Sequence, residues 1–135
     1  MTVAMGIDIQ NVDEVTDSLE SFGDRYLTRL YTERELEDCE LFRESLAKTL
    51  AARFAAKEAV LKALEPSDNI PPWRSIEVLL GARRCPLVHL SGAAQELAQQ
   101  RGVENVHLSI AFGRDFAVAA VVADVVQNSA RTHST

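Results

Sequence analysis

The chain is poor in several features, and each scarcity narrows what it does. No apolar run approaches the roughly 20 residues that cross a bilayer. The first residues show no basic stretch followed by an apolar one, so neither a membrane span nor a secretory signal is expected. Cysteine is limited to Cys39 and Cys85, which match no zinc-ligand spacing. We expect reduced thiols and a cytoplasmic protein. Positive charge is in deficit: 14 Lys and Arg against 20 Asp and Glu give a formal charge of −6. That balance argues against a nucleic-acid surface, although a small phosphorylated ligand in a local basic pocket is compatible with it. There is no glycine-rich phosphate loop, no serine or cysteine nucleophile motif, no internal repeat and no low-complexity tract.

What is present is an ordinary globular composition. The 135 residues are 47% hydrophobic and 25% charged, enough to enclose one core, which we place in a single domain over 1–126. The small polar residues of 127–135 predict a disordered tail. Near the start, Val3, Met5, Ile7 and Ile9 alternate with Ala4, Gly6 and Asp8, predicting a strand with one buried face. Residues 12–30 suggest one or two short helices around Gly23. Thr32 and Glu35 have capping-box spacing, so a helix begins there and runs to about Phe42. The segment Leu46–Leu64 is the strongest helix: rich in Ala and Leu, free of Gly and Pro, and stopped before Pro66. After a loop over 65–72, short strands are expected at 75–80 and 87–90. A helix capped by Ser91 and ended by Gly102 comes next. Strands at 105–112 and 116–126 then form a hairpin around Gly113 and Arg114. The second is apolar on both faces and should be central. This order predicts an α+β fold, with a mainly antiparallel sheet packed on a long helix.

Two carboxylates occupy unusual places. Asp8 shares its strand face with only Ala4 and Gly6, which leaves space beside it; it either caps the following turn or faces a site. Glu58, at about 100° per residue, falls beside Ala51, Phe54, Ala55 and Leu61 in the apolar stripe of the long helix. A buried carboxylate needs a cation, a metal or a hydrogen bond. Lys62, four residues on, could supply an ion pair; a functional role is the alternative. Arg53, Lys57 and Lys62 share this helix. They form either a solvated face or a flank for an anionic ligand, while Asp8 and Glu58 hold a divalent ion. Two carboxylates, waters and ligand phosphates are a common shell for magnesium. His89, His107 and His133 show no metal-site spacing and read as ordinary histidines.

With these residues set out, Gly6-Ile7-Asp8-Ile9 and the stretch Arg53-Phe54-Ala55-Ala56-Lys57-Glu58-Ala59, followed by Lys62-Ala63, resemble the two signatures of the holo-acyl-carrier-protein synthases. These are the small bacterial 4′-phosphopantetheinyl transferases. The resemblance implies the transferase fold and a homotrimer with active sites in clefts between subunits. It implies coenzyme A as donor, a serine of an acyl or peptidyl carrier protein as acceptor, and 3′,5′-ADP as the leaving group. It also implies Asp8 and Glu58 as magnesium ligands, and Asp8, Glu58 and Lys62 as the catalytic group. Arg53, Lys57 and Lys62 would lie near the coenzyme A phosphates, and Pro86 near the adenine. Arg25 and Arg29 would dock the acidic helix of the carrier, opposed by Glu14, Asp17 and Glu20. The serine proton would pass to Glu58 or to a water on the metal. The alternative is a relative that binds a carrier without catalysis, or that acts on a carrier-bound substrate.

Overall fold

The computed structural model describes residues 2–41, 45–80 and 85–127. A ten-residue strand, β1 (Thr2–Asn11), leads directly into helix α1 (Val12–Phe22). Asn11 makes that junction sharp, because its side-chain oxygen accepts from the backbone N–H groups of Asp13 and Glu14. Asp8 therefore does not cap the turn. Gly23, at φ +52°, separates α1 from the short helix α2 (Asp24–Leu30). The capping box at Thr32 and Glu35 starts α3 (Glu33–Glu40), and the central helix α4 runs over Leu46–Leu64. Helix α3 ends at Glu40 with Leu41 as its C-cap, and Phe42, its expected end, lies outside the described residues. A 3-10 turn at Trp73–Ser75 feeds the antiparallel pair β2 (Ile76–Leu79) and β3 (Leu87–Leu90). Helix α5 (Gly92–Arg101) and the hairpin β4 (Val103–Phe112) and β5 (Phe116–Val125) complete the fold. Ser91 is the N-cap of α5 by position, but its side chain makes no cap bond. Of the expected tail, Gln127 is exposed and the remainder lies outside the described residues.

The main sheet has the order β1-β5-β4, antiparallel throughout, so the strand that is apolar on both faces is central. On its inner face Ala117, Ala119, Val121 and Ala123 are buried against α4. Register places Gly6 opposite Val121 and Asp8 opposite Ala119, so the small residues of β1 are the ones that meet the helix. The larger residues turn outward: Val3, Met5, Ile7 and Ile9 are exposed, Met5 to 67%. The inner face of β1 is thus the one that carries Ala4, Gly6 and Asp8. Alternation separates two faces, but close packing chose the smaller one. Gly6 shows why: a Cβ there would lie 1.9 Å from the Ala59 carbonyl oxygen. Only a residue without a side chain lets helix and strand approach this closely.

Helix α4 is buried nearly all round, including Leu50, Val60 and Leu64, each contributing roughly 1.5–3 kcal/mol by full burial. Two of its cations are inside as well. Arg53 and Lys57, one turn apart, have no solvent exposure. Lys57 Nζ donates to Glu35 Oε1 at 2.7 Å and to the Trp73 carbonyl at 2.9 Å. Arg53 pairs with Asp38 and also donates to the Thr49 carbonyl at 3.0 Å. The carboxylates of α3 have a second task. Glu35 accepts from Val78 N and Asp38 from Leu80 N, at 3.1 and 2.7 Å. Those are alternate N–H groups on and just beyond β2, on the edge away from β3. Helix α3 thus supplies acceptors where a neighbouring strand would otherwise be needed.

Candidate active site

The residues of α4 that escape full burial at its centre and end are Phe54, Glu58, Leu61 and Lys62. Their spacing of four, three and one puts them on one stripe, beside the inner face of β1. Glu58 is therefore on the open stripe of the helix. The expected apolar stripe has no distinct existence, because the flanks once read as polar are occupied by the buried Arg53 and Lys57. The close approach at Gly6 then brings Asp8 to the same place. Burial first, and then the Asp8 charge, push the Glu58 carboxyl above its ordinary pKa, while Lys62 pulls it down.

Lys62 does not make its ion pair with Glu58. Its ammonium donates to Asp8 Oδ1 at 3.1 Å and to the Ile7 carbonyl at 2.8 Å. Asp8 Oδ2 accepts from the Gln10 amide at 2.7 Å. Asp8, Glu58 and Lys62, expected together, are together. Arg53 and Lys57, expected beside ligand phosphates, are not: both point to the α3 side of α4 and are neutralised there. The reason is that their partners Glu35 and Asp38 lie in another helix, which spacing within α4 cannot reveal. Matching offsets, three residues between the acids and four between the bases, were the available signal. Pro86 leads into β3, in the second sheet.

The donor set suits one class of ligand. Two carboxylates held near one ammonium leave net negative charge, which a divalent cation relieves. Oxygen donors favour a hard ion such as magnesium. Among the described residues no group of three or more His, Cys, Asp or Glu side chains converges. The rest of a coordination shell would come from water or from a ligand such as a phosphate.

A second feature adjoins this one. Phe54, one turn before Glu58, packs edge-on against Trp73, with ring centroids 5.0 Å apart. Trp73 lines a groove of about 690 Å³ together with Phe22, Arg25, Tyr26 and Arg29. The backbone of Trp73 is held by Lys57, so the buried ion pair also fixes one wall of the groove. Arg25 and Arg29 are exposed along it, whereas Glu14, Asp17 and Glu20 are exposed on α1.

Comparison with known proteins bears directly on these features. Residues 4–121 match the model of the 4′-phosphopantetheinyl transferase superfamily. A holo-[acyl-carrier-protein] synthase of Halothermothrix orenii is 36% identical over 124 residues, covering 92% of this chain and 98% of that protein. The crystal structure of the holo-[acyl-carrier-protein] synthase from Neisseria meningitidis superposes with a TM-score of 0.78 at 28% identity, covering 90% of this chain and 97% of that one. The Helicobacter pylori synthase in complex with coenzyme A gives a TM-score of 0.76 at 26% identity, covering 89% and 99%.

Proposed function

The chain belongs to the 4′-phosphopantetheinyl transferase superfamily, and from that premise we propose how its residues serve the reaction. The protein is a holo-acyl-carrier-protein synthase, an enzyme that transfers 4′-phosphopantetheine from coenzyme A to a serine of a carrier protein. The serine oxygen forms a bond to the phosphorus that bears pantetheine. The bond from that phosphorus to the nucleotide breaks, and 3′,5′-ADP leaves. Such a transfer needs positioning and charge neutralisation more than covalent help.

The observation that carries our assignment of the site is the convergence of Asp8, Glu58 and Lys62 across the Gly6 contact. Asp8 and Glu58 would hold magnesium. When bound, the ion neutralises phosphate charge that develops as the leaving group departs. Lys62, 54% exposed, offers its ammonium to phosphate oxygens from the same edge. Pro86 is proposed beside the adenine. The groove between α1, α2 and Trp73 would receive the carrier. Arg25 and Arg29 favour an acidic recognition helix, while Glu14, Asp17 and Glu20 repel one. The carrier best served has a neutral or basic recognition helix.

The outward face of β1 supports the homotrimer that we propose. Val3, Met5, Ile7 and Ile9, with Val122 of β5, expose a contiguous apolar sheet surface that a second copy would cover. Light scattering at micromolar concentration should return three chains, and Ile7→Glu should return one. No described helix is long and apolar enough to cross a membrane. Free thiols at Cys39 and Cys85 support a cytoplasmic location.

The deciding experiment incubates apo-carriers of acidic and of neutral recognition-helix charge with coenzyme A and magnesium, at two ionic strengths, followed by mass spectrometry. The phosphopantetheine mass increase should appear, slower on the acidic carrier. Absence of the increase on every carrier would favour a binding protein over an enzyme.

A further inference from the structure

Each oxygen of the Asp8 carboxylate already has a donor, and the two donors differ in kind. Oδ1 accepts from Lys62 at 3.1 Å and Oδ2 from the Gln10 side chain at 2.7 Å. Lys62 reaches across from α4 on a long side chain, 54% exposed, and shares its ammonium with the Ile7 carbonyl. Solvent screens such a pair, so this donor exchanges partners readily. Gln10 stands two residues from Asp8 on the same face of β1, and it is half-buried. Its backbone is fixed by register, Gln10 opposite Ala117 and Asp8 opposite Ala119. The amide carries no charge, so it neither competes with a cation nor repels one. Asn11, the next polar side chain, is committed to capping α1.

We propose that Gln10 is a positioning residue for the transfer reaction, holding Asp8 by Oδ2 so that Oδ1, kept only by the exchangeable Lys62, is the oxygen left to the cation. This rests on the assignment of Asp8 and Glu58 as magnesium ligands. A hydrogen bond to a ligating carboxylate fixes its rotamer and tunes its basicity, and losing such a bond typically weakens metal affinity by roughly 10–100-fold. The Gly6-Ile7-Asp8-Ile9 signature does not mark this position; the 2.7 Å contact does.

The test titrates Mn2+ into the intact protein in saturating coenzyme A, following the free ion by electron paramagnetic resonance. Gln10→Met keeps the length and loses the donor; Gln10→Asn keeps the amide one methylene short. Both should bind Mn2+ about 10–100-fold more weakly, with the melting temperature in EDTA unchanged. The magnesium concentration for half-maximal transfer should rise, while KM for coenzyme A stays constant. Wild-type Mn2+ affinity in both variants would overturn the proposal, as would a loss of affinity that tracks a fall in melting temperature. Asp8→Asn separates the two levels of the argument. If it abolishes Mn2+ binding while the Gln10 variants bind normally, only the role of Gln10 falls. If Asp8→Asn binds as wild type does, the metal assignment falls and takes the role of Gln10 with it.

Discussion

Helix α4 carries charge on two sides, and the protein treats the two in opposite ways. Toward α3, Arg53 and Lys57 are sealed in, each matched to a carboxylate and to backbone carbonyls or hydroxyls. Toward β1, Glu58 and Lys62 stand at a surface with Asp8, two acids to one base. The closed cluster is charge-balanced and buried, so its cations are turned away from solvent and from any ligand arriving through it. The open cluster keeps unsatisfied negative charge within reach of solvent. The contrast teaches that a cation in a helix signature is not a ligand-binding cation until its partners are known. Identical side-chain chemistry serves the fold at Lys57 and the site at Lys62.

The two sides should respond differently to mutation. The largest expected effect is on the open side. Glu58→Gln or Asp8→Ala should lower transfer by on the order of 10³-fold or more while leaving the melting temperature nearly unchanged. Wild-type turnover by Glu58→Gln at limiting magnesium would break the distinction. On the closed side the readout reverses. Lys57→Met strands the buried Glu35 carboxylate and should cost about 3–5 kcal/mol in denaturant unfolding. Adding Glu35→Gln should restore part of that loss, because it removes the uncompensated charge. A Lys57→Met protein as stable as wild type, but unable to use coenzyme A, would mean that Lys57 is a phosphate ligand after all.

A smaller effect sharpens the account of the closed cluster through pH. Cys39 lies on α3 beside Asp38, and burial pushes its thiol up to about 11 from 9.0. Between those values the unfolded chain loses this proton and the folded chain keeps it. Native protein then binds more protons, so stability falls as pH rises through that window, by on the order of 2–3 kcal/mol from this group. Cys39→Ala should flatten the curve of unfolding free energy between pH 9 and 11. A curve of unchanged slope would show that the thiol ionises without leaving its buried place.

Much of this architecture was legible in the sequence because its signals are local. Leu46–Leu64 is bounded by its own composition, Thr32 and Glu35 cap by spacing alone, and β5 is central because no face of it is polar. The pairing of Asp8 with the end of α4 came only through resemblance, since Asp8 and Lys62 are 54 residues apart in sequence. What was misread depended on partners elsewhere in the chain or outside it. Alternation in β1 separates Val3, Met5, Ile7 and Ile9 from Ala4, Gly6 and Asp8 without saying which set faces inward. The close contact of Gly6 with Ala59 leaves no room for bulk on the inner face there, so the large residues turn outward. Arg53 and Lys57 read as a solvated face or as a flank for an anionic ligand, because the acids that draw them inside belong to α3. Gln10 carried no signal at all until its 2.7 Å contact was visible.

The meeting of Gly6 with Ala59 has one more consequence. The distance between the two halves of the site is set there by main-chain atoms touching main-chain atoms, without a rotatable bond between them. It works as a spacer block whose thickness cannot drift as neighbouring core residues are exchanged for larger or smaller ones. A methyl group at residue 6 would act like a shim, tilting β1 off the helix and carrying Asp8 away from Glu58 and Lys62 together, although neither side of the catalytic group had itself been altered.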